Sequence, residues 1–339
     1  MIAQSLRARW AATLLLAAVQ LGGCARAAEE EHTATRRKLR VLLQPYIAMA
    51  PLLIADAESL FAKQGLEVEF VRMDNAANAL PLLLNGDIDV LPGTIMPGAL
   101  NAMARGEPIR IVADKGYFAA DGCTHIALMA RPGLVGSDGA SPAVQRVSTD
   151  RGASGLYFVR SALLSVGLSL DSMEVVEIPN APEIEALGSA SIDVALAGEP
   201  WLSRMVRAKK GVVWIPAQRI LPDFQYSLIF FGPNLLQRDR DAGRRFMVAY
   251  REAIGMYREG KTPRNIDILA KATGEEPDLV RASCWIAMRP DSRIDLASIL
   301  EFQKWALAHG YVSTPASAAQ VWDSSFVVWA DTILSRRTQ

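Results

Sequence analysis

The stretch Leu187-Gly188-Ser189-Ala190-Ser191-Ile192-Asp193-Val194-Ala195-Leu196-Ala197-Gly198-Glu199-Pro200-Trp201 decides the fold. Ile192, Val194 and Leu196 alternate with Asp193 and Ala195, so the segment reads as a helix end, a tight turn and a short strand. Short apolar strands bounded by small residues are typical of buried parallel sheets. Its carboxyl end delivers Gly198, Glu199, Pro200 and Trp201 into a loop. The design occurs once before, where Leu84-Asn85-Gly86-Asp87-Ile88-Asp89-Val90 runs into Leu91-Pro92-Gly93-Thr94. Ile88-Asp89-Val90 and Ile192-Asp193-Val194 are identical, and each precedes a small-residue loop and a helix.

Working outward, strands are expected over 39–43, 68–71, 87–91 and 109–113, alternating with helices over 52–64, 76–85 and 96–104. The pattern restarts with strands over 144–147, 173–178, 191–196 and 211–215 and helices over 156–166, 182–187 and 201–208. The two runs match at an offset of about 102 to 107 residues, Gly65-Leu66 meeting Gly167-Leu168 and Asp89 meeting Asp193. Such alternation implies two α/β lobes, each a doubly wound, mostly parallel sheet with flanking helices. Residues 227–231 read as a returning strand. Helices over 238–259, 265–273, 278–285, 295–309 and 316–335 follow, punctuated by prolines and expected to cover the first lobe. The expected organisation is 38–122 with 227–339 as lobe I and 123–226 as lobe II. Ligands of open α/β sheets bind beyond the carboxyl ends of the strands, so the cleft between the lobes is the candidate site.

With 339 residues, half of them apolar, the chain can bury one large core or two moderate ones. Its formal charge of zero carries no nucleic-acid signature. Residues 1–23 read as a signal peptide, with Arg7 and Arg9 ahead of an apolar run over 10–19 that is too short to span a membrane. Leu21-Gly22-Gly23-Cys24 resembles a lipobox, which would lipidate Cys24. Ala25-Arg26-Ala27 also fits ordinary cleavage, which would release a soluble exported protein. Residues 24–37 then form a polar tether. Cys123 and Cys284 are expected as separate buried thiols, an oxidised pair being the alternative in an exported chain.

Several strand-end residues are candidates for the ligand. Gln44 offers a donor and an acceptor and Tyr46 a ring with a hydroxyl. Thr94 either hydrogen-bonds a polar group or caps the next helix. Ser154 and Gly155 open a helix whose free amides and dipole favour an anionic group, and Arg151 can pair bidentately with one. Glu199 favours a cationic or N–H-donating ligand, or else makes a structural lobe-to-lobe contact. Trp201 either stacks on the ligand or packs in its lobe. Tyr117, Phe118, Phe224 and Tyr226 fit hinge packing. No metal, cofactor or catalytic residue is expected. His32, His125 and His309 lack ligand spacing, and neither a nucleophile elbow nor a phosphate-binding glycine motif occurs.

Pro51-Leu52-Leu53-Ile54-Ala55 before Leu60-Phe61-Ala62-Lys63-Gln64-Gly65-Leu66-Glu67-Val68, Asn85-Gly86-Asp87-Ile88-Asp89-Val90, Gly167-Leu168, and Ile192-Asp193-Val194 through Glu199-Pro200-Trp201 together carry a resemblance. Over about residues 38–260 the chain resembles the periplasmic substrate-binding proteins of ABC importers, in the nitrate, sulfonate, taurine and thiamine-precursor group. The resemblance implies a two-lobed venus-flytrap protein. It would be a monomer and not an enzyme, capturing a small organic solute and delivering it to a membrane permease. Alternatives on the same fold are an enzyme acting on a thiamine-pyrimidine-like substrate and a ligand sensor. Arg151-Gly152-Ala153-Ser154-Gly155 departs from the family's Gly-Ser/Thr-rich turn. The Cys-rich run of pyrimidine-synthesising relatives is missing, which argues against their chemistry.

Overall fold

The computed structural model describes residues 36–73, 76–135, 143–151 and 154–337. The signal peptide, Cys24 and most of the tether lie outside the described residues, as do Gly152 and Ala153.

Two five-stranded sheets form. The first contains β1 (Arg37–Leu43), β2 (Leu66–Arg72), β3 (Val90–Thr94), β4 (Arg110–Tyr117) and β10 (Gln225–Phe231), in the order β2-β1-β3-β10-β4. The second contains β5 (Ile126–Ala130), β6 (Arg146–Ser148), β7 (Glu174–Val176), β8 (Val194–Gly198) and β9 (Val212–Pro216), in the order β7-β6-β8-β5-β9. The pairings repeat as well. In each sheet the first three strands are parallel, and a reversed strand lies between the third and the fourth. That reversed strand is the first one after a crossover, β5 in lobe II and β10 in lobe I. The sheets are therefore mixed, with four strands running one way and one against.

β5 escapes a reading by alternation because Ile126 to Ala130 are all buried. A strand covered on both faces has no polar side to alternate with. β10 begins at Gln225, so Gln225 and Tyr226 belong to the lobe I sheet rather than to 123–226. The helix expected over 52–64 is two, α1 (Ala50–Ala57) and α2 (Leu60–Lys63). Ser59 between them sits at φ 55° and turns Leu60 and Phe61 into the core, where Phe61 stacks on Phe246.

The helices between successive strands are α3 (Leu80–Asn85), α4 (Pro97–Ala104), α5 (Gly155–Ser165), α6 (Asn180–Gly188), α7 (Trp201–Arg207) and α8 (Ala217–Ile220). The 19-residue α9 (Arg240–Arg258) packs against α1 and α2, with Phe246, Met247, Tyr250 and Ile254 buried in the same core. α10 (Pro263–Thr273), α11 (Pro277–Ala282) and α12 (Leu296–Ala308) complete the lobe I cover. The last expected helix divides into α13 (Ala318–Val321) and α14 (Ser325–Arg337). Between them Trp322 turns extended and bridges Ile111 of β4.

Cys123 and Cys284 form a disulfide, with Cα atoms 5.6 Å apart. This overturns the expectation of separate thiols. The sequence separation of 161 residues hid a contact that the first crossover makes with the segment after α11.

Candidate functional site

A cavity of about 520 Å³ lies between the two sheets. From lobe I it is lined by Gln44 after β1, Met73 after β2, Thr94 ending β3, Lys115 near the end of β4, and Tyr226 and Ser227 at the start of the reversed β10. From lobe II come Thr149 and Asp150 after β6, Glu177 to Pro179 after β7, Leu196 and Gly198 on β8, and His125 and Ile126 where the reversed β5 begins. Every one of these positions is at the end of its sheet where the parallel strands finish, the place the parallel-sheet rule assigns to ligands.

Of the residues expected at the site, Gln44, Tyr46, Thr94 and Gly155 line this cavity. The Tyr46 hydroxyl accepts a hydrogen bond from Asn180 Nδ2 at 3.1 Å, joining the lobes across the cavity. Gly155 is the first residue of α5. A Cβ there would come within 2.8 Å of Leu196 Cδ2 and 2.9 Å of Thr149 Oγ1, so a larger residue would push these two side chains aside. Ser154 is buried behind it, and its amide donates to the Ile95 carbonyl of lobe I at 3.0 Å.

Three expected residues stand elsewhere. Arg151 is exposed, and its guanidinium is bonded to the Val175 carbonyl on β7. Trp201 is buried at the start of α7, with the Arg204 guanidinium 4.5 Å from its ring centre. Glu199 is 2% exposed and faces away from the cavity. Its carboxylate accepts from the Cys284 amide at 3.0 Å, the Ser203 hydroxyl at 2.8 Å and the Ser203 amide at 3.1 Å. Burial raises its pKa, and these donors oppose the shift. The loop after β8 thus turns Gly198 toward the cavity and Glu199 into the lobe-to-lobe contact that was the alternative reading. Of the four crossover aromatics, Tyr226 lines the cavity, while Phe118 and Phe224 pack beside it.

Three strongly perturbed groups at the cavity were not singled out from the sequence. Lys115 is 3% exposed, and desolvation lowers its pKa to about 7 against the pull of Asp114. His125 is 5% exposed. Burial lowers its pKa to about 4, and the charge of Lys115 adds to the effect. Glu183 in α6 is 3% exposed and is raised to about 8 by burial. One of its oxygens has no hydrogen-bond partner, nor has the buried hydroxyl of Thr149. An unpaired buried polar atom is costly, and strongly shifted groups gather where ligands bind. A position at a strand end is the one signal that could have singled out Lys115 and His125. Asp114 anchors the floor beneath them. It accepts from the Gly116 amide at 2.8 Å, Gln225 Nε2 at 2.6 Å and the Arg289 amide at 2.6 Å.

Among the described residues no group of three or more His, Cys, Asp or Glu could hold a metal ion, and no helix is long and apolar enough to cross a membrane.

A family model described as the NMT1-like family matches residues 32–273. The chain belongs to the NMT1-like family. A protein of Brucella abortus, named provisionally as a binding protein, is 26% identical over 219 residues. That match covers 64% of this chain and 66% of the relative, so the chain spans just under two thirds of the relative's length. The ligand-binding component of an ABC-type import system from Staphylococcus aureus superposes with a TM-score of 0.73 at 16% identity, covering 87% of this chain and 99% of that one. The periplasmic nitrate-binding protein of Synechocystis gives 0.70 at 16% identity, covering 88% and 89%. A desulfurization enzyme gives 0.65 at 14% identity, covering 89% and 100%. At these identities the likeness is one of fold. It confirms the two-lobed binding-protein architecture expected from the repeat, a fold that this family shares with at least one enzyme.

Proposed function

We propose that this NMT1-like chain is the extracytoplasmic solute-binding component of an ABC import system, holding a small organic solute between its lobes for a membrane permease. The observation that carries the reading is the cavity built from strand ends of both lobes. A binding protein needs such a site, because closure there converts ligand contact into a shape that a permease can recognise. Catalysis is not part of this reading. The lining offers no activated nucleophile, and burial keeps His125 a weak base. The reading includes export by residues 1–23, a lipid anchor on Cys24, a monomeric state, and lobes divided near the crossovers at 117–126 and 216–225.

Size and charge narrow the ligand. At about 30 Å³ per water, 520 Å³ holds about seventeen waters. A single inorganic ion would leave most of that space filled with solvent, so an organic solute fits better. Among the described residues Lys115 is the only lysine or arginine in the lining, against Asp150 and Glu177, while Glu183 keeps its proton up to about pH 8. A solute with an electron-rich group toward Lys115 and N–H or O–H groups toward lobe II suits this arrangement. The N-terminus of α5 adds a further place for an electron-rich group. Gln44, Tyr46, Thr94, Lys115, His125, Gly155, Asn180 and Glu183 form the proposed contact set.

The test is a thermal-shift panel of nitrate, ethanesulfonate, isethionate, taurine and MOPS on the mature protein. A ligand held by the folded state raises the melting temperature. A rise with an organic member and none with nitrate is expected, and a panel without any rise sinks the reading. For the anchor, Cys24→Ser should move the protein from the membrane fraction to the soluble one. Unchanged fractionation would refute lipidation.

A further inference from the structure

Behind the cavity wall a closed ring of contacts runs through three residues. His125 Nδ1 lies 3.1 Å from the Cys284 carbonyl oxygen. The Cys284 amide donates to Glu199 Oε1 at 3.0 Å. The Glu199 amide donates back to the His125 carbonyl at 3.0 Å. Cys123, two residues before His125, is bonded to the sulfur of Cys284. Glu199 also accepts the Ile47 amide of lobe I on its own carbonyl at 3.1 Å, so the ring is fastened to both lobes.

We propose that Cys284 is the positioning residue that makes His125 a fixed hydrogen-bond acceptor for the bound solute, with Glu199 and Cys123 holding Cys284 in place. A carbonyl oxygen can only accept, so the imidazole proton sits on Nδ1 and the lone pair on Nε2. His125 and Lys115 both line the cavity, and the Lys115 amine donates with or without its extra proton. Burial and the charge of Lys115 both resist protonation of the ring. The floor therefore presents an acceptor next to a donor. A hydroxyl, an amide or the edge of an amino-heterocycle answers both at once, whereas an oxyanion without a proton meets the His125 lone pair unfavourably. This specificity rests on the solute-binding reading above, but the state of His125 does not depend on it.

Long-range nitrogen–proton NMR on the 15N-histidine-labelled mature chain is the test, with His125→Phe assigning its signal apart from His32 and His309. The expected signature is a neutral Nδ1–H tautomer that does not titrate between pH 8 and 5.5. An Nε2–H tautomer, or a midpoint near 6.5, would overturn the inference. Glu199→Ala and the Cys123→Ser/Cys284→Ser pair should each mix the tautomers in a chain that remains folded by circular dichroism, and Glu199→Gln, which keeps an acceptor, should restore the single form. If the serine pair does not fold, mild reduction of the folded wild type replaces it. A tautomer indifferent to all of these changes defeats the positioning role. In the solute panel, isethionate should bind about tenfold more tightly than ethanesulfonate, the span of one hydrogen bond, and His125→Phe should erase that preference. Ethanesulfonate binding as well as isethionate defeats the specificity. A panel without any binder defeats the solute-binding reading and leaves the NMR result to judge the positioning.

Discussion

In lobe I, Asp89 accepts the Arg40 amide of β1 at 2.7 Å, and its own amide returns a bond to the Arg40 carbonyl at 2.8 Å. In lobe II, Asp193 accepts the Arg146 amide of β6 at 3.1 Å and returns a bond to the Arg146 carbonyl at 3.0 Å. Each aspartate thereby pins the first strand to the third just before the third begins, and Ile88 and Ile192 beside them are buried. The spare oxygens diverge. Asp89 takes Asn234 of the C-terminal helical region at 2.9 Å, and Asp193 takes Arg131 at 2.9 Å. Both aspartates lie at the end of the sheet away from the cavity. What repeats in the sequence is the frame, and what does not repeat is the chemistry. Lys115 belongs to lobe I, whereas the carboxyl groups and the α5 terminus belong to lobe II.

The contrast can be broken at several points. The largest effect is expected at the disulfide, which braces the crossover on one side only. In the chain-entropy account a loop of 161 residues corresponds to about 5 kcal/mol. Urea unfolding of the Cys123→Ser/Cys284→Ser variant should show a loss of that order, and an unchanged midpoint would mean that the bond constrains nothing.

Next comes Glu183. Its pKa is raised from 4.5 to about 8, so the folded state holds the proton more tightly than the unfolded one. Its contribution is full below pH 4.5 and is lost as pH rises toward 8. Lys115, lowered from 10.5 to about 7, has the opposite sign and gains stability between pH 7 and 10.5. Glu183→Gln should remove a loss on the order of a few kcal/mol between pH 5 and pH 8. The measurement is urea unfolding at both values, and parallel curves for variant and wild type would place an ionised carboxylate at Glu183.

Asp89→Ala and Asp193→Ala should each cost about 2 kcal/mol by stranding a strand amide. If one is silent in denaturant titration, the two frames are not equivalent. The smallest effect is expected for Tyr46→Phe, which removes the hydroxyl bonded to Asn180 across the lobes. A loss of about 1 kcal/mol in closure should appear as a several-fold weaker affinity for the solute that passes the panel. Unaltered affinity would mean that this contact does not hold the lobes together.

Much of the frame was legible from Ile88-Asp89-Val90 and Ile192-Asp193-Val194, because the same buried isoleucine and pinning aspartate precede each third strand, which begins at Val90 or Val194 and not at 87 or 191 as expected. β5 was not legible, since Ile126 to Ala130 are buried on both faces and alternate with nothing. Gln44, Tyr46 and Thr94, singled out by their place after strands, and Gly155, singled out by its helix start, line the cavity. Glu199 and Trp201 occupy the equivalent place after β8, yet the chain turns there so that Leu196 and Gly198 reach the cavity and these two do not. Lys115 and His125 were missed because their meaning comes from desolvation, a property of the assembled lobes that no local spacing records. The pairing of Cys123 with Cys284 was hidden for the same reason.

Tyr117 and Gln225, the last residue of β4 and the first of β10, are partners in one sheet, and the Phe118 amide donates to the Phe224 carbonyl at 3.1 Å. On the far side Ala127 of β5 partners Pro216, the end of β9. The chain thus leaves lobe I and returns to it through neighbouring antiparallel strands, about 5 Å apart. Viewed from lobe I, all of lobe II is the loop of a single β-hairpin. Splicing Tyr117 to Gln225 through a short turn would leave the strand order β2-β1-β3-β10-β4 untouched. The second wall is thereby an exchangeable cassette. Recombination at this one seam can fit a new ligand face to an old scaffold without rethreading either sheet.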